Sequence, residues 1–169
     1  MTLPSPQHFF QQAMRLIAPP PGGLPQQVDL RRAISNAYYG VLHATLAAAA
    51  DQFVGATKRS THQYALVYRS IDHGAIRRVC LEMKKRTLSR LLVPHAPPDG
   101  FGSNLKAYSQ AVLELQEKRI SADYDPLRRY RRSDALVAII AGQIALTRFE
   151  SATEAEREAF LALLVFKPR

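Results

Sequence analysis

The placement of proline most constrains what this chain can fold into. Of its 11 prolines, seven fall in two clusters, Pro19-Pro20-Pro21-Gly22-Gly23-Leu24-Pro25 and Pro94-His95-Ala96-Pro97-Pro98-Asp99-Gly100-Phe101-Gly102. Proline lacks the amide donor and its ring clashes with the preceding helical turn, so each cluster is a break. No proline lies between Pro25 and Pro94, and none between Pro126 and Pro168. Those two intervals have room for long helices.

Apolar residues inside them recur at helical spacing. A first helix is expected over 5–18, with Ser5 as N-cap and Pro6 in the first turn. A longer one is expected over 26–53, where Ile34, Ala37, Tyr38, Val41, Leu42 and Thr45 make one face and Ala44–Ala50 allow close packing. A short helix follows over 61–71. Asp72 is placed to cap another over 73–92, with Ile76, Val79, Cys80, Met83 and Leu91 inward. Ser103 or Asn104 opens a helix to about Ser121, and Asp125-Pro126 stops it. A long helix from about Ser133 sets Leu136, Ile139, Ile140, Gln143 and Thr147 near one stripe. The last, over 153–166, carries Ala159, Leu163, Leu164 and Phe166. No alternating run and no Asn-Gly turn suggests a strand. The expected class is all-α, an up-and-down four-helix core with additional short helices.

Composition bounds the function. At 169 residues, 47 % hydrophobic and 22 % charged, the chain is one domain with a core. Its one cysteine, Cys80, excludes an internal disulfide framework and a cysteine-based zinc site. No basic leader precedes an apolar run, and the longest apolar stretches, 44–50 and 135–140, are too short for a bilayer. A cytoplasmic setting without membrane association is expected. The net charge of +9 favours a polyanionic partner.

That charge is concentrated. The stretch from Arg77 to Arg90 holds +5 and Arg128, Arg129, Arg131 and Arg132 hold +4, while the remainder sums to zero. The first stretch reads either as a solvated helix face, with Glu82 paired to Arg78 or Arg86, or as a phosphate-binding face. The second has arginine forks that match phosphate oxygens, with Tyr124 and Tyr130 nearby to stack on a base.

Enzyme signatures are sparse. There is no glycine-rich phosphate loop, no GxSxG, no HExxH and no paired metal-ligand histidines, so no metal and no cofactor is expected. His8, His43, His62, His73 and His95 are scattered and read as surface or partly buried polar residues. Asp123-Tyr124-Asp125 could hold a divalent cation, but a turn-opening Asp125 and an Arg119–Asp123 pair on a helix end explain it better. Arg32, Asn36, Tyr39 and His43 share one helix face, serving interhelix hydrogen bonds or a substrate. Tyr38 belongs to the core with its hydroxyl bonded. If the two polar rows converge, Arg119, Asp123, Tyr39 and His43 form a pocket.

Two blocks are specific enough to suggest a family. Arg31-Arg-Ala-Ile-Ser-Asn-Ala-Tyr-Tyr-Gly-Val-Leu-His-Ala44 resembles the second-helix signature of HEPN domains (higher eukaryotes and prokaryotes nucleotide-binding). Leu113-Glu-Leu-Gln-Glu-Lys-Arg-Ile-Ser-Ala-Asp-Tyr-Asp125 is similar to their second block, R-x-x-ADYD, followed here by Ser133-Asp134-Ala135 opening a helix. The resemblance covers about 26–150. Residues 1–25, an N-terminal helix and proline-rich linker, and 151–169, a C-terminal helix, fall outside it.

The resemblance implies an α-helical up-and-down bundle that commonly dimerises. It implies a place in bacterial toxin–antitoxin or other defence systems, often beside a nucleotidyltransferase-like protein. Many members are metal-independent RNases whose motif is an arginine, four to six residues and a histidine. The 2′-hydroxyl of RNA attacks the adjacent phosphate while histidine moves protons and arginine stabilises the phosphorane. Arg119 matches that arginine, but Asp123-Tyr124-Asp125 occupies the histidine position, and an ionised aspartate is a poor general acid. Arg90 and His95 fit the spacing by number, a match that 17 arginines and five histidines produce by chance, and Pro94 interrupts it.

The resulting expectation is an RNA- or nucleotide-binding component. Arg119, Asp123 and His43 would be the catalytic set if RNA is cleaved. Arg128, Arg129, Arg131, Arg132 and Arg32 would hold phosphates, and Tyr124 or Tyr39 would contact a base. The alternative is a non-catalytic dimerising or adaptor module. A further option is an acidic protein partner, such as a cognate antitoxin, that neutralises the basic faces.

Overall fold

The computed structural model describes residues 4–18 and 23–168; Pro19, Pro20 and Pro21 of the first proline cluster lie outside the described residues. The described chain is helical, with no strand: α1 (Pro6–Leu16), α2 (Gln27–Phe53), α3 (His62–Ser70), α4 (His73–Lys84), α5 (Ser103–Tyr124), α6 (Arg132–Glu150) and α7 (Glu154–Val165). The all-α expectation is met.

The longest helix, α2, is the hub. It packs against α1, α3, α5, α6 and α7, while α5 bridges α4 and α6. Ile34, Ala37, Tyr38, Val41, Leu42 and Thr45 are all buried, as their spacing requires. Cys80 on α4 is fully buried beside Ser109 of α5, and burial pushes its thiol up to about 12.

α1 shares this core. Phe10, Ala13 and Ile17 are buried, and Phe10 lies between two glycines of different helices. A Cβ at Gly40 would meet Phe10 Cζ at 2.8 Å, and one at Gly142 would meet Phe10 Cε1 at 2.8 Å. The missing side chains are what admit the ring.

Several helix ends follow local chemistry. Pro6 opens α1 after Ser5. Thr61 and Asp72 cap α3 and α4 by accepting from the amides of Tyr64 and Ala75. Other ends differ from expectation because tertiary contacts set them. α4 stops at Lys84, not near Leu92, and Lys85 is already extended (ψ 145°). The Glu82 carboxylate turns the chain there, accepting from the Ser89 amide and from Lys85 Nζ rather than pairing with Arg78 or Arg86. Arg86 and Arg90 therefore leave the helix that carries Arg77 and Arg78. The same break exposes Leu91 and buries Leu92 in its place.

α5 begins after Gly102, with neither Ser103 nor Asn104 as its cap. The buried Glu156 carboxylate accepts from the Gly102 amide, and also from the Thr153 amide at the start of α7. One side chain thus serves two helix starts. α5 also continues to Tyr124, three residues past the expected Ser121.

On α6 the stripe is different. Ala135, Ala138, Ile139, Gly142 and Ala145 are buried, while Gln143 and Thr147 are exposed and Ile140 is 44 % exposed. Small residues face α2 because the helices approach closely there: a Cβ at Gly142 would also stand 3.1 Å from the Ala37 carbonyl oxygen. On α7, Leu163 and Leu164 are buried but Phe166 is exposed, edge-on to Phe53.

Candidate phosphate-binding site

The site is built where α2 meets the C-terminal end of α5. Arg119 donates through Nη2 to the Tyr39 hydroxyl at 2.8 Å, and its Nε lies 3.0 Å from Asp123 Oδ2 one helical turn on. That second contact is an ion pair without hydrogen-bond alignment, so the buried Nε–H remains unbonded. The guanidinium carbon sits 5.5 Å from the Tyr39 ring centroid and 5.8 Å from that of Tyr124. The hydrogen bond to Tyr39 outweighs partial burial and holds the Arg119 pKa above its ordinary value. Asp123 also accepts from the Ser35 hydroxyl on α2.

His43 and Tyr39 occupy one side of this junction. His43 makes no hydrogen bond to Arg119, but its ring lies 6.4 Å from that of Tyr39. Its Nδ1 is bonded to the Tyr68 hydroxyl of α3, and Phe9 of α1 stacks on it at 4.7 Å with 8° between planes. Gln12 of the same α1 accepts from Asn36. Thus α1 covers the middle of the polar row, Asn36 is spent on interhelix bonding, and Arg32 is exposed.

The residue that sequence reasoning missed is His73. It opens α4, bonds through Nδ1 to the Tyr38 hydroxyl at 2.7 Å, and stands edge-on to Tyr39 at 6.3 Å. A lone histidine at a helix start has no spacing partner, so no linear signal marks it. Both imidazoles are held below their ordinary pKa. Burial is the main cause for each, aided at His43 by His73 and at His73 by Arg119.

Downstream, Arg31 fixes the basic turn. Its guanidinium donates to three backbone carbonyls, Ala122 at 2.7 Å, Asp125 at 2.9 Å and Arg128 at 2.5 Å. These include acceptors that the end of α5 leaves without helical partners. Asp125 accepts from the amides of Leu127 and Arg128, forming the turn. Gln27 clasps Tyr130 through both its amide and its carbonyl.

The four arginines of the turn have different circumstances. Arg132 Nε donates to the Ile17 carbonyl, tying the turn to the end of α1. Arg128 lies over the Tyr130 ring. Arg129 and Arg131 are exposed. Tyr130 is not placed to stack on a base: its ring is buried under Arg31 and Arg128, and its hydroxyl donates to Ser121. Tyr124 is 71 % exposed and lines a cleft of about 360 Å³ with Glu117, Ile120, Ser121 and Asp125.

Among the described residues no group of three or more histidine, cysteine or acidic side chains is arranged to hold a metal ion. No single helix among the described residues is long and apolar enough to cross a membrane. No protein-family model, curated protein or solved structure matches the chain.

Proposed function

We propose that this chain is a HEPN-like RNA- or nucleotide-binding component of a bacterial toxin–antitoxin or defence system. The reading includes a HEPN-type helical bundle around α2, α4, α5 and α6. One observation carries it: the two blocks that suggest the family touch each other. Arg119 of the second block donates to Tyr39 of the first, Ser35 of the first bonds Asp123 of the second, and Arg31 grips the carbonyl of Ala122. Spacing in sequence alone does not require these meetings.

In this reading Arg119 is the central phosphate ligand, and Arg128, Arg129 and Arg131 extend the positive field along the turn. Tyr124 offers the exposed ring for a base. Binding through phosphates releases counterions, so affinity for a short RNA should fall steeply between low and moderate salt, and more weakly in Arg119→Ala. A salt-independent affinity overturns the reading. For the RNase activity, His43 and His73 are the local proton carriers and Asp123 is not. Wild type should then degrade RNA in EDTA while Arg119→Ala does not; intact RNA after long incubation rejects cleavage and retains binding.

A second reading, the dimerising or adaptor module, is supported by α6. Val137, Ile140 and Ile144 are exposed at 55 %, 44 % and 54 %, and no ionisable side chain occurs from Ala135 to Thr147. An uncharged apolar strip on a chain of net charge +9 is where a second copy can dock without like-charge repulsion. Ile140→Asp with Ile144→Asp should convert a dimer to monomer in sedimentation analysis. A monomeric wild type at high concentration rejects the dimer.

A further inference from the structure

Six rings from four helices form a connected cluster that includes the Arg119–Tyr39 contact: Phe9 on α1, Tyr38, Tyr39 and His43 on α2, Tyr68 on α3 and His73 on α4. Each histidine has Nδ1 committed to a tyrosine hydroxyl. That leaves Nε2 of each as the atom able to gain or present a proton toward a ligand. Both rings are only partly covered.

The charges facing this cluster come from few groups. α1 contributes the neutral Phe9 and Gln12. α2 and α3 contribute the phenols of Tyr38 and Tyr68, which burial pushes above their ordinary value and so keeps neutral. α4 contributes Asp72, which is exposed, caps its own helix and favours the protonated form of the adjacent His73. α5 contributes Arg119 and, paired to it, Asp123. A proton added to His73 therefore meets Arg119, opposed by Asp72, and one added to His43 meets His73, with Asp123 already engaged by Arg119.

We propose that phosphate capture at Arg119 is coupled to proton uptake by His43 and His73, so that the site binds phosphate esters more tightly as pH falls. The inference rests on the phosphate-binding reading above. A phosphate oxyanion held at Arg119 adds negative charge beside the two imidazoles. It offsets the repulsion from Arg119 and raises the proton affinity of both rings. Linkage sets the sign and the window. In the free protein each ring takes a proton only below the ordinary histidine value; with ligand bound it does so at higher pH. Between those two values binding draws protons from solution. Affinity rises as pH falls through the bound-state value and levels below the free-state value, by up to about tenfold per pH unit for each proton taken up.

The test uses a short 2′-O-methyl oligouridylate without a terminal phosphate. It resists cleavage, and its diesters and bases do not titrate between pH 5 and 8. Calorimetry at pH 6.5 in two buffers of different ionisation enthalpy should show net proton uptake by the full-length protein. The C2–H proton resonances of His43 and His73 should titrate at higher pH in the complex than in the free protein. His62→Gln with His95→Gln should keep the uptake, and His43→Gln with His73→Gln should abolish it. The resonance titration is read in wild type, so it stands if the latter variant fails to fold. Binding with zero proton exchange, or with His43 and His73 titrating unchanged, overturns the coupling and leaves phosphate binding intact. No binding at any pH removes both. Uridine 5′-(methyl phosphate), a monomeric diester that does not titrate in this range, in place of the oligomer distinguishes a nucleotide site, which should bind it with the same proton uptake, from a site that needs a polymer.

Discussion

The Arg119 guanidinium on α5 and the Tyr39 hydroxyl on α2 are bonded at 2.8 Å across 80 positions of sequence. The contact is both a fastening between two core helices and part of the surface offered to a ligand. A hydrogen bond to a charged donor contributes about 1.5–3 kcal/mol. Tyr39→Phe should lower stability by about 1–2 kcal/mol in urea titrations, and Arg119→Ala by more, since it also strands Asp123 and removes the cover of two rings. The two losses should not add. A double variant as unstable as the sum of the singles means that the pair does not interact.

Arg31 predicts a different kind of damage. Its three carbonyl acceptors all lie between Ala122 and Arg128. Arg31→Ala should cost about 1–3 kcal/mol and, more tellingly, speed amide exchange over 123–131 while leaving α4 and α7 protected. Arg31→Lys should rescue little, because an ammonium cannot reach three acceptors as a planar fork does. Uniform exchange throughout the chain would contradict a local clamp.

The Phe10 seat discriminates between its two walls. Gly40→Ala should be destabilising by about 1–3 kcal/mol through overpacking, partly offset by the roughly 1 kcal/mol that alanine adds to a helix. Phe10→Leu should recover part of that loss. Gly142→Ala should be worse and less rescued, because its new methyl also meets the Ala37 carbonyl, which cannot rotate away. Equal thermal shifts for the two variants would show that the ring alone decides.

Glu156 gives a pH prediction. Burial acts to raise its pKa, but the amides of Gly102 and Thr153 outweigh it and hold the carboxylate below its usual range. A depressed carboxylate contributes stability above the unfolded-state value of about 4.3. That contribution disappears as pH falls through the lower folded value. Glu156→Gln should be less stable at pH 7, by about 1–3 kcal/mol, and should show a flatter acid limb in melting temperature against pH. An acid limb parallel to wild type would exclude Glu156 from acid unfolding.

How much of this was legible depended on whether the cause was local. Helices existed where apolar residues repeat at helical spacing, and Thr61, Asp72 and Pro6 marked starts because their chemistry acts within one turn. The end of α4 was illegible because Glu82 reaches seven residues forward to Ser89. The start of α5 was illegible because its cap, Glu156, is 54 residues away. The α6 stripe misled because hydropathy favours Ile140 over Gly142, whereas close approach to α2 selects the smaller residue. Arg119, Asp123 and Tyr39 were found through the family blocks. Arg31 was visible as the first residue of one block, with nothing in sequence to show that it serves backbone carbonyls, and His73 carried no signal.

Cys80 has a practical consequence. It is the only thiol in the chain, it is sealed between α4 and α5, and burial disfavours its reactive thiolate. An alkylating reagent can reach it only when those helices part. The rate at which an electrophile labels the native protein is therefore a clock for that opening, read from a single atom without a fluorophore or an engineered probe. A ligand held at the α2–α5 junction should slow the clock by stabilising the closed state, whatever its chemical identity.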